Sequence, residues 1–301
     1  MEDPIFSVYI LPIVLSLVML GLGLSLTMQD FKNIFIQPIG LITGLCCQMI
    51  VLPTIALVLA QVSGLSPELQ VGIVLVAACP GGAISNLINY MLGANLALSV
   101  SMTAVNSFLV IFTIPTIMEV TLWYFLGDQG ERSIHLPFWS TILQILLITV
   151  IPCLVGIYIR YLNKILAYML ERPLHIIMPF LLAFAMLGAI FFDKKEAFSF
   201  DFGEYSGVAV FTFLLNILGM LSGYWLAYGF RLGKDNQITI AIEVGMQNTA
   251  LAITIATSPL FLNNFEMAIP ASIYALFTFF TAVAFGLIVK PELLRFNRPP
   301  V

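Results

Sequence analysis

The chain has 301 residues and a formal net charge of −4; AVILMFWYC account for 60% of it, DEKR for only 9%, and the mean hydropathy is +1.03. A soluble globular chain is about one quarter charged, so twelve basic and sixteen acidic residues cannot solvate a particle of this length, and the chain reads as an all-α polytopic membrane protein. The acidic balance, without a basic run longer than two residues, excludes a nucleic-acid binder, and placing Cys46, Cys47, Cys79 and Cys153 inside apolar segments excludes a disulfide-stapled secreted domain.

A bilayer core of roughly 30 Å takes about 20 helical residues. Apolar stretches follow one another at 5–27, 34–60, 70–92, 96–126, 136–159, 173–192, 205–230, 237–258 and 266–289, which predicts nine transmembrane helices. Pro259 and the Asn263–Glu266 loop separate the last two. The start, Met-Glu-Asp-Pro, has no basic n-region, so no removable signal peptide is expected. With nine spans the termini face opposite sides. One set of loops holds Lys32, Arg160, Lys164, Arg172, Arg231, Lys234, Lys290, Arg295 and Arg298, and the other holds Arg132, Lys194 and Lys195. The excess puts the N-terminus outside and the C-terminus in the cytoplasm of a multi-pass cell (inner) membrane protein. All twelve bases are then in loops, and none remains for the membrane interior.

Within the second span, Gln48 is a mid-span carboxamide with Pro53 five residues on. The third is interrupted by Cys79-Pro80-Gly81-Gly82, where a missing backbone donor and a ring clash meet two residues of low helix propensity. A simple proline kink would account for Pro80, but Ser85, Asn86 and Asn89 gather directly behind it. Broken helix at membrane depth is tolerated only where protein or a water-filled cavity satisfies the freed backbone. On the fourth span Asn95, Ser99, Thr103 and Asn106 recur on one helical face.

The eighth span carries Glu243-Val-Gly-Met-Gln-Asn248-Thr249 at its centre. A carboxylate there costs at least about 2.5–3.5 kcal/mol. With no base left to pair with it, Glu243 has to carry a proton or be matched by a transported cation. A constant offset of 167 aligns Gln70 with Gln237 and Pro80-Gly81 with Gln247-Asn248, and the loops before the two segments fall on opposite sides. This is the pattern of an inverted repeat whose two discontinuous helices cross at mid-depth.

Freed carbonyls, hydroxyls, carboxamides and one carboxylate are hard oxygen ligands suited to a hard cation. His135 and His175 lie at span ends, no Ser-His-Asp or metal-His set occurs in the spans, and there is no Walker-type phosphate loop, so neither an enzyme nor an ATP-driven pump is expected.

Cys79-Pro80-Gly81-Gly82-x-x-Ser85-Asn86, Asn95-x-Ala97-Leu98-Ser99 and Glu243-Val-Gly-Met-Gln-Asn248 resemble the signature segments of the bile acid:sodium symporter family, over nearly the whole chain. The likeness includes bacterial homologues of the apical and liver sodium-dependent bile acid transporters. It implies a core domain with two crossed broken helices and a flatter panel domain. Residues 1–33 would form a panel helix, 34–126 the first core repeat, 127–204 further panel helices, 205–289 the second core repeat and 290–301 a cytoplasmic tail. Bacterial members carry ten spans; here Leu20–Thr27 resembles the end of their second, which leaves nine.

Two co-transported Na⁺ sites are implied. One would use Ser85, Asn86, Ser99, Thr103 and Glu243; the other Gln48, Glu243, Gln247 and the backbone carbonyls of Val244 and Met246. Asn248 and Ala83, the latter where relatives often have Thr, would face the substrate. Two Na⁺ against one carboxylate leave one positive charge in excess, which together with half-helix N-termini suits an organic monoanion, bile-acid-like or smaller. The expected function is sodium-coupled symport by alternating access, with the bilayer and the anion as partners, no nucleic acid, and a monomeric or weakly oligomeric protein. An arsenite-type efflux permease using Cys79 and Glu243, a proton-coupled antiporter and a non-transporting receptor are the alternatives.

Overall fold

The computed structural model describes residues 5–27, 38–127, 138–188 and 202–291, and all regular structure among them is helical. In chain order the helices are α1 (Leu11–Ser25), α2 (Pro38–Cys46), α3 (Leu52–Ser63), α4 (Pro67–Ala78), α5 (Ala83–Met91), α6 (Leu96–Leu126), α7 (Phe138–Ile145), α8 (Ile151–Leu162), α9 (Lys164–Gly188), α10 (Phe202–Gly229), α11 (Lys234–Gly245), α12 (Thr249–Thr257) and α13 (Ile269–Val289). Among the described residues, six apolar helices are long enough to cross a membrane: Pro38–Ser63, Leu96–Leu126, Trp139–Leu162, Tyr205–Gly229, Lys234–Thr257 and Glu266–Val289. α1 and α4 are shorter apolar helices. The chain is thus an all-helical polytopic membrane protein.

Three helices widen by one π turn just ahead of a proline. Phe6–Ile10 precedes Pro12, Cys47–Val51 precedes Pro53 and Leu146–Val150 precedes Pro152. A proline lacks the donor for the preceding turn and its ring crowds that turn's carbonyl, so a widened turn lets the helix continue. Gln48 sits in the second of these turns.

α9 begins nine residues earlier than the sequence pattern suggests, at Lys164 rather than 173. Asn163 is the cause: its Oδ1 accepts from the N–H groups of Ile165 and Leu166, both at 3.0 Å, and so caps the first turn. Lys32, Arg132, His135, Lys194, Lys195, Arg295 and Arg298 lie outside the described residues, as do several of the anticipated domain boundaries and most of 290–301.

α1, α8 and α9 pack on one another, and Arg160 of α8 ties them by donating to Leu24 O (2.6 Å) and pairing with Glu171 (3.1 Å). α10, α6, α5, α13 and α2 pack around α11. α10 lies flat against α11 through Gly219 and Gly223, where a Cβ would stand 3.2 Å from Val244 O and 2.9 Å from Ile240 O. Small residues four apart are the usual means of close helix approach in lipid, where burial of apolar surface gives no drive. The consequence is that Lys234–Thr257 has 89% of its membrane-crossing window buried inside the protein, against 22% for Glu266–Val289. The part of that window left less buried is the break itself, at Asn248 and Thr249.

Candidate functional site

Both anticipated interruptions are present and they touch. α4 ends at Ala78 and α5 starts at Ala83; α11 ends at Gly245 and α12 starts at Thr249. The Asn248 N–H donates to Pro80 O at 3.0 Å, joining the breaks backbone to backbone. Gly81 lies in the crossing itself. A methyl group there would meet Met246 O at 2.7 Å and the backbone and side-chain oxygens of Glu243 at 3.3 and 3.4 Å. Only glycine lets the strands of chain approach this closely.

An interrupted helix leaves carbonyls without their usual donors, and each lost bond in an apolar interior is costly. Side chains take over here. Gly245 O accepts from Asn216 Nδ2 (2.7 Å) and Tyr274 Oη (2.5 Å), with Thr278 Oγ1 at 3.4 Å. Val244 O accepts from Gln247 Nε2 at 2.6 Å. The Asn248 side chain caps α12 by accepting from Leu251 N at 3.1 Å.

Glu243 is 1% exposed. Among the described residues the ion pairs are Arg160–Glu171 and Lys290–Asp235, and neither involves it. Its neighbours are neutral. Ser99 Oγ lies 2.5 Å from Oε1, Thr103 Oγ1 3.2 Å from Oε2, and Asn89 Nδ2 3.4 Å from Oε1. Asn86 Oδ1 stands 2.6 Å from Ser99 Oγ and 3.3 Å from Thr103 Oγ1. Ser85 is fully buried beside the same carboxylate and turns its hydroxyl onto Gly82 O at 2.7 Å.

Proton counting gives this cluster its character. Ser99 and Thr103 have one hydroxyl proton each, yet both Glu243 oxygens, Asn86 Oδ1 and Ser99 O are within their reach. Oxygen lone pairs outnumber hydroxyl protons around this buried carboxyl group, and such a set fits a hard cation.

A second polar group adjoins the first. Gln48 Nε2 donates to Gln247 Oε1 at 2.8 Å, while Gln48 Oε1 is buried without a partner. Gln48, Gln247 and the Val244 carbonyl therefore form one chain of contacts running to the break that Glu243 borders. Met246 O faces Gly81.

Asn248, Gln247 and Ser85 also line a cavity of about 260 Å³ that Met19 and Leu22 of α1 and Leu174 of α9 close from the other side. Gly82 and Thr249, at the starts of α5 and α12, line it too, so two half-helix N-termini open on one space. Ala83 is the first residue of α5, and its side chain lies outside the described residues.

Of the four-residue stripe on α6, only Ser99 and Thr103 meet Glu243. Asn95 caps α6 through Leu98 N and donates to Asn236 Oδ1 at 2.7 Å, and Asn106 is buried with Oδ1 unpartnered. The sequence reading did not single out Asn216, Tyr274 and Thr278. Asn216 carries the same signal as Gln48, a carboxamide in mid-span, and the same test would have found it.

Three relatives illustrate what the chain is similar to. It is 29% identical over 270 residues to the "Uncharacterized sodium-dependent transporter YocS" of Bacillus subtilis, covering 87% of this chain and 77% of that one. It is 28% identical over 281 residues to the human "Sodium/bile acid cotransporter 4" (92% and 62%). Likeness to the "Probable sodium/metabolite cotransporter BASS1, chloroplastic" of Arabidopsis thaliana is 28% over 250 residues (81% and 58%). The matched stretch thus spans less than two thirds of the human and plant proteins. The model of the Sodium Bile acid symporter family matches residues 12–199, more than half of the sequence, and the chain belongs to that family, whose members are transporters and not enzymes.

Proposed function

We propose that the protein imports an organic anion by sodium-coupled symport with alternating access. The observation that carries this reading is the buried Glu243, surrounded by more oxygen lone pairs than hydroxyl protons and without a basic partner among the described residues. One Na⁺ is held by Asn86, Ser99, Thr103 and Glu243 with Ser85 beside them. A second is held by Gln48, Gln247, Glu243 and the carbonyls of Val244 and Met246. Sodium-dependent relatives support the choice of ion.

The anion occupies the cavity between α1, α9 and the breaks, where the N-termini of α5 and α12 and the excess charge of two cations attract it. Walls from Val18, Met19, Leu22 and Phe279 suit an apolar organic acid, bile-acid-like or smaller. Cys79 is fully buried and does not line this cavity, which supports an organic anion over a thiol-ligated metalloid as cargo.

The chain crosses the membrane nine times, with the N-terminus outside and the C-terminus in the cytoplasm. Residues 34–126 and 205–289 form the core, and 1–33 with 127–204 the panel; mutual packing of α1, α8 and α9 supports this division. The test is uptake of labelled taurocholate and of smaller organic acids into proteoliposomes under imposed gradients. Accumulation should require inward Na⁺; accumulation driven by a proton gradient and indifferent to Na⁺ refutes the coupling.

A further inference from the structure

We propose that Asn89 competes with the cation for Glu243, so that its amide sets how loosely the site holds sodium. The proposal rests on the reading of Glu243 as a sodium ligand. Asn89 lies on α5, fully buried, and stands outside the set of five residues expected around this ion. Its Nδ2 is 2.9 Å from Ser99 Oγ and 3.4 Å from Glu243 Oε1, so one amide group addresses two of the oxygens that a cation would use.

An N–H carries partial positive charge and takes the same lone pairs as a metal ion. Both draw on the electron density of the same oxygen and repel each other, so each weakens the other there. Asn89 also fixes the Ser99 proton. By donating to the hydroxyl oxygen, it sends that proton toward Glu243 Oε1 or Asn86 Oδ1, and either bond covers a further ligand.

The orientation has a cost that marks it as more than packing. With Nδ2 turned to Glu243, Asn89 Oδ1 is buried without a partner. An apolar side chain of similar size would fill the place with no orphaned oxygen. What the amide supplies is a counterweight. A driving ion has to leave as well as enter, and an N–H aimed at two of its ligands loosens its hold enough for release.

Sodium titrations of thermal melting on the purified full chain test this, with NaCl exchanged against choline chloride at constant ionic strength. Asn89→Leu keeps the volume and removes the amide; half-saturating Na⁺ should fall about three- to tenfold, the net worth of one ordinary hydrogen bond. Asn89→Ala and Asn89→Ser, read in the same way, guard against a leucine variant that fails to fold, and both should shift in the same direction. A residue that only supports the fold, or one that ligates the ion, would leave the half-saturation unchanged or raise it, and either result in a cooperatively melting variant overturns the proposal. Wild-type protein without a Na⁺ response, or a response that survives Glu243→Gln, defeats the sodium reading itself. A wild-type response abolished by Glu243→Gln but indifferent to all three Asn89 variants defeats only the role of Asn89.

Discussion

Glu243→Gln separates the charge at the crossing from its shape. The glutamine fills the same volume, and its Oε1 can still accept from Ser99. Its Nε2 would face Thr103, whose hydroxyl has Ser99 O as a second acceptor at 3.1 Å and can then receive instead of donate. Folding should therefore change by no more than about 1 kcal/mol, the net worth of one rearranged hydrogen bond. Cation binding should change far more. An ion about 4 Å from the carboxylate gains roughly 4 kcal/mol at an effective dielectric near 20, which is about a thousandfold in affinity. Wild-type protein in Na⁺ at about a hundred times its dissociation constant should gain about 2.7 kcal/mol of stability. The variant should gain none over the same range. Melting in NaCl against choline chloride reads both quantities. A Glu243→Gln protein that folds and remains as strongly stabilised by Na⁺ as wild type would refute the charge argument.

Other expectations follow from single contacts. Gly81→Ala drives a methyl group into Met246 O and should lower stability by about 1–3 kcal/mol; an unchanged melting temperature with unchanged Na⁺ response would mean that the breaks do not need their close approach. Tyr274→Phe removes one donor from Gly245 O but leaves Asn216 and Thr278, so thermal melting should report a loss of about 1 kcal/mol. Asn216→Leu strips donors from both Gly245 O and Tyr274 Oη and should cost more than Tyr274→Phe; the reverse order would show that Tyr274 is the principal clamp. Cys79→Ala deletes a fully buried thiol away from the cavity, and organic-anion uptake in proteoliposomes should persist; abolished uptake in a folded variant would point to a thiol ligand.

Both breaks and the acid were legible in the sequence because their chemistry is incompatible with lipid. Pro80 with two glycines cannot continue a helix, and an unpaired carboxylate at mid-span demands an explanation wherever it faces. The facing of merely polar residues was less legible. Ser99 and Asn106 share a helical stripe, but one meets Glu243 and the other does not, since α6 turns only part of that face to the crossing. Asn216 and Tyr274 are separated by 58 positions and converge on one carbonyl, a meeting that depends on how α10 and α13 pack. The early start of α9 has a different lesson. Lys164, Glu171 and Arg172 interrupt the apolar pattern before 173, while Asn163 decides where the helix begins.

The bond from Asn248 to Pro80 fastens the two interrupted helices to each other at their gaps. Pulling either break open would uncover unpaired main chain from both at once, deep in a medium that offers nothing in return. The proposed alternation of access would accordingly cost least along the cavity wall where Leu22 and Leu174 stand across from Asn248, with that bond left intact.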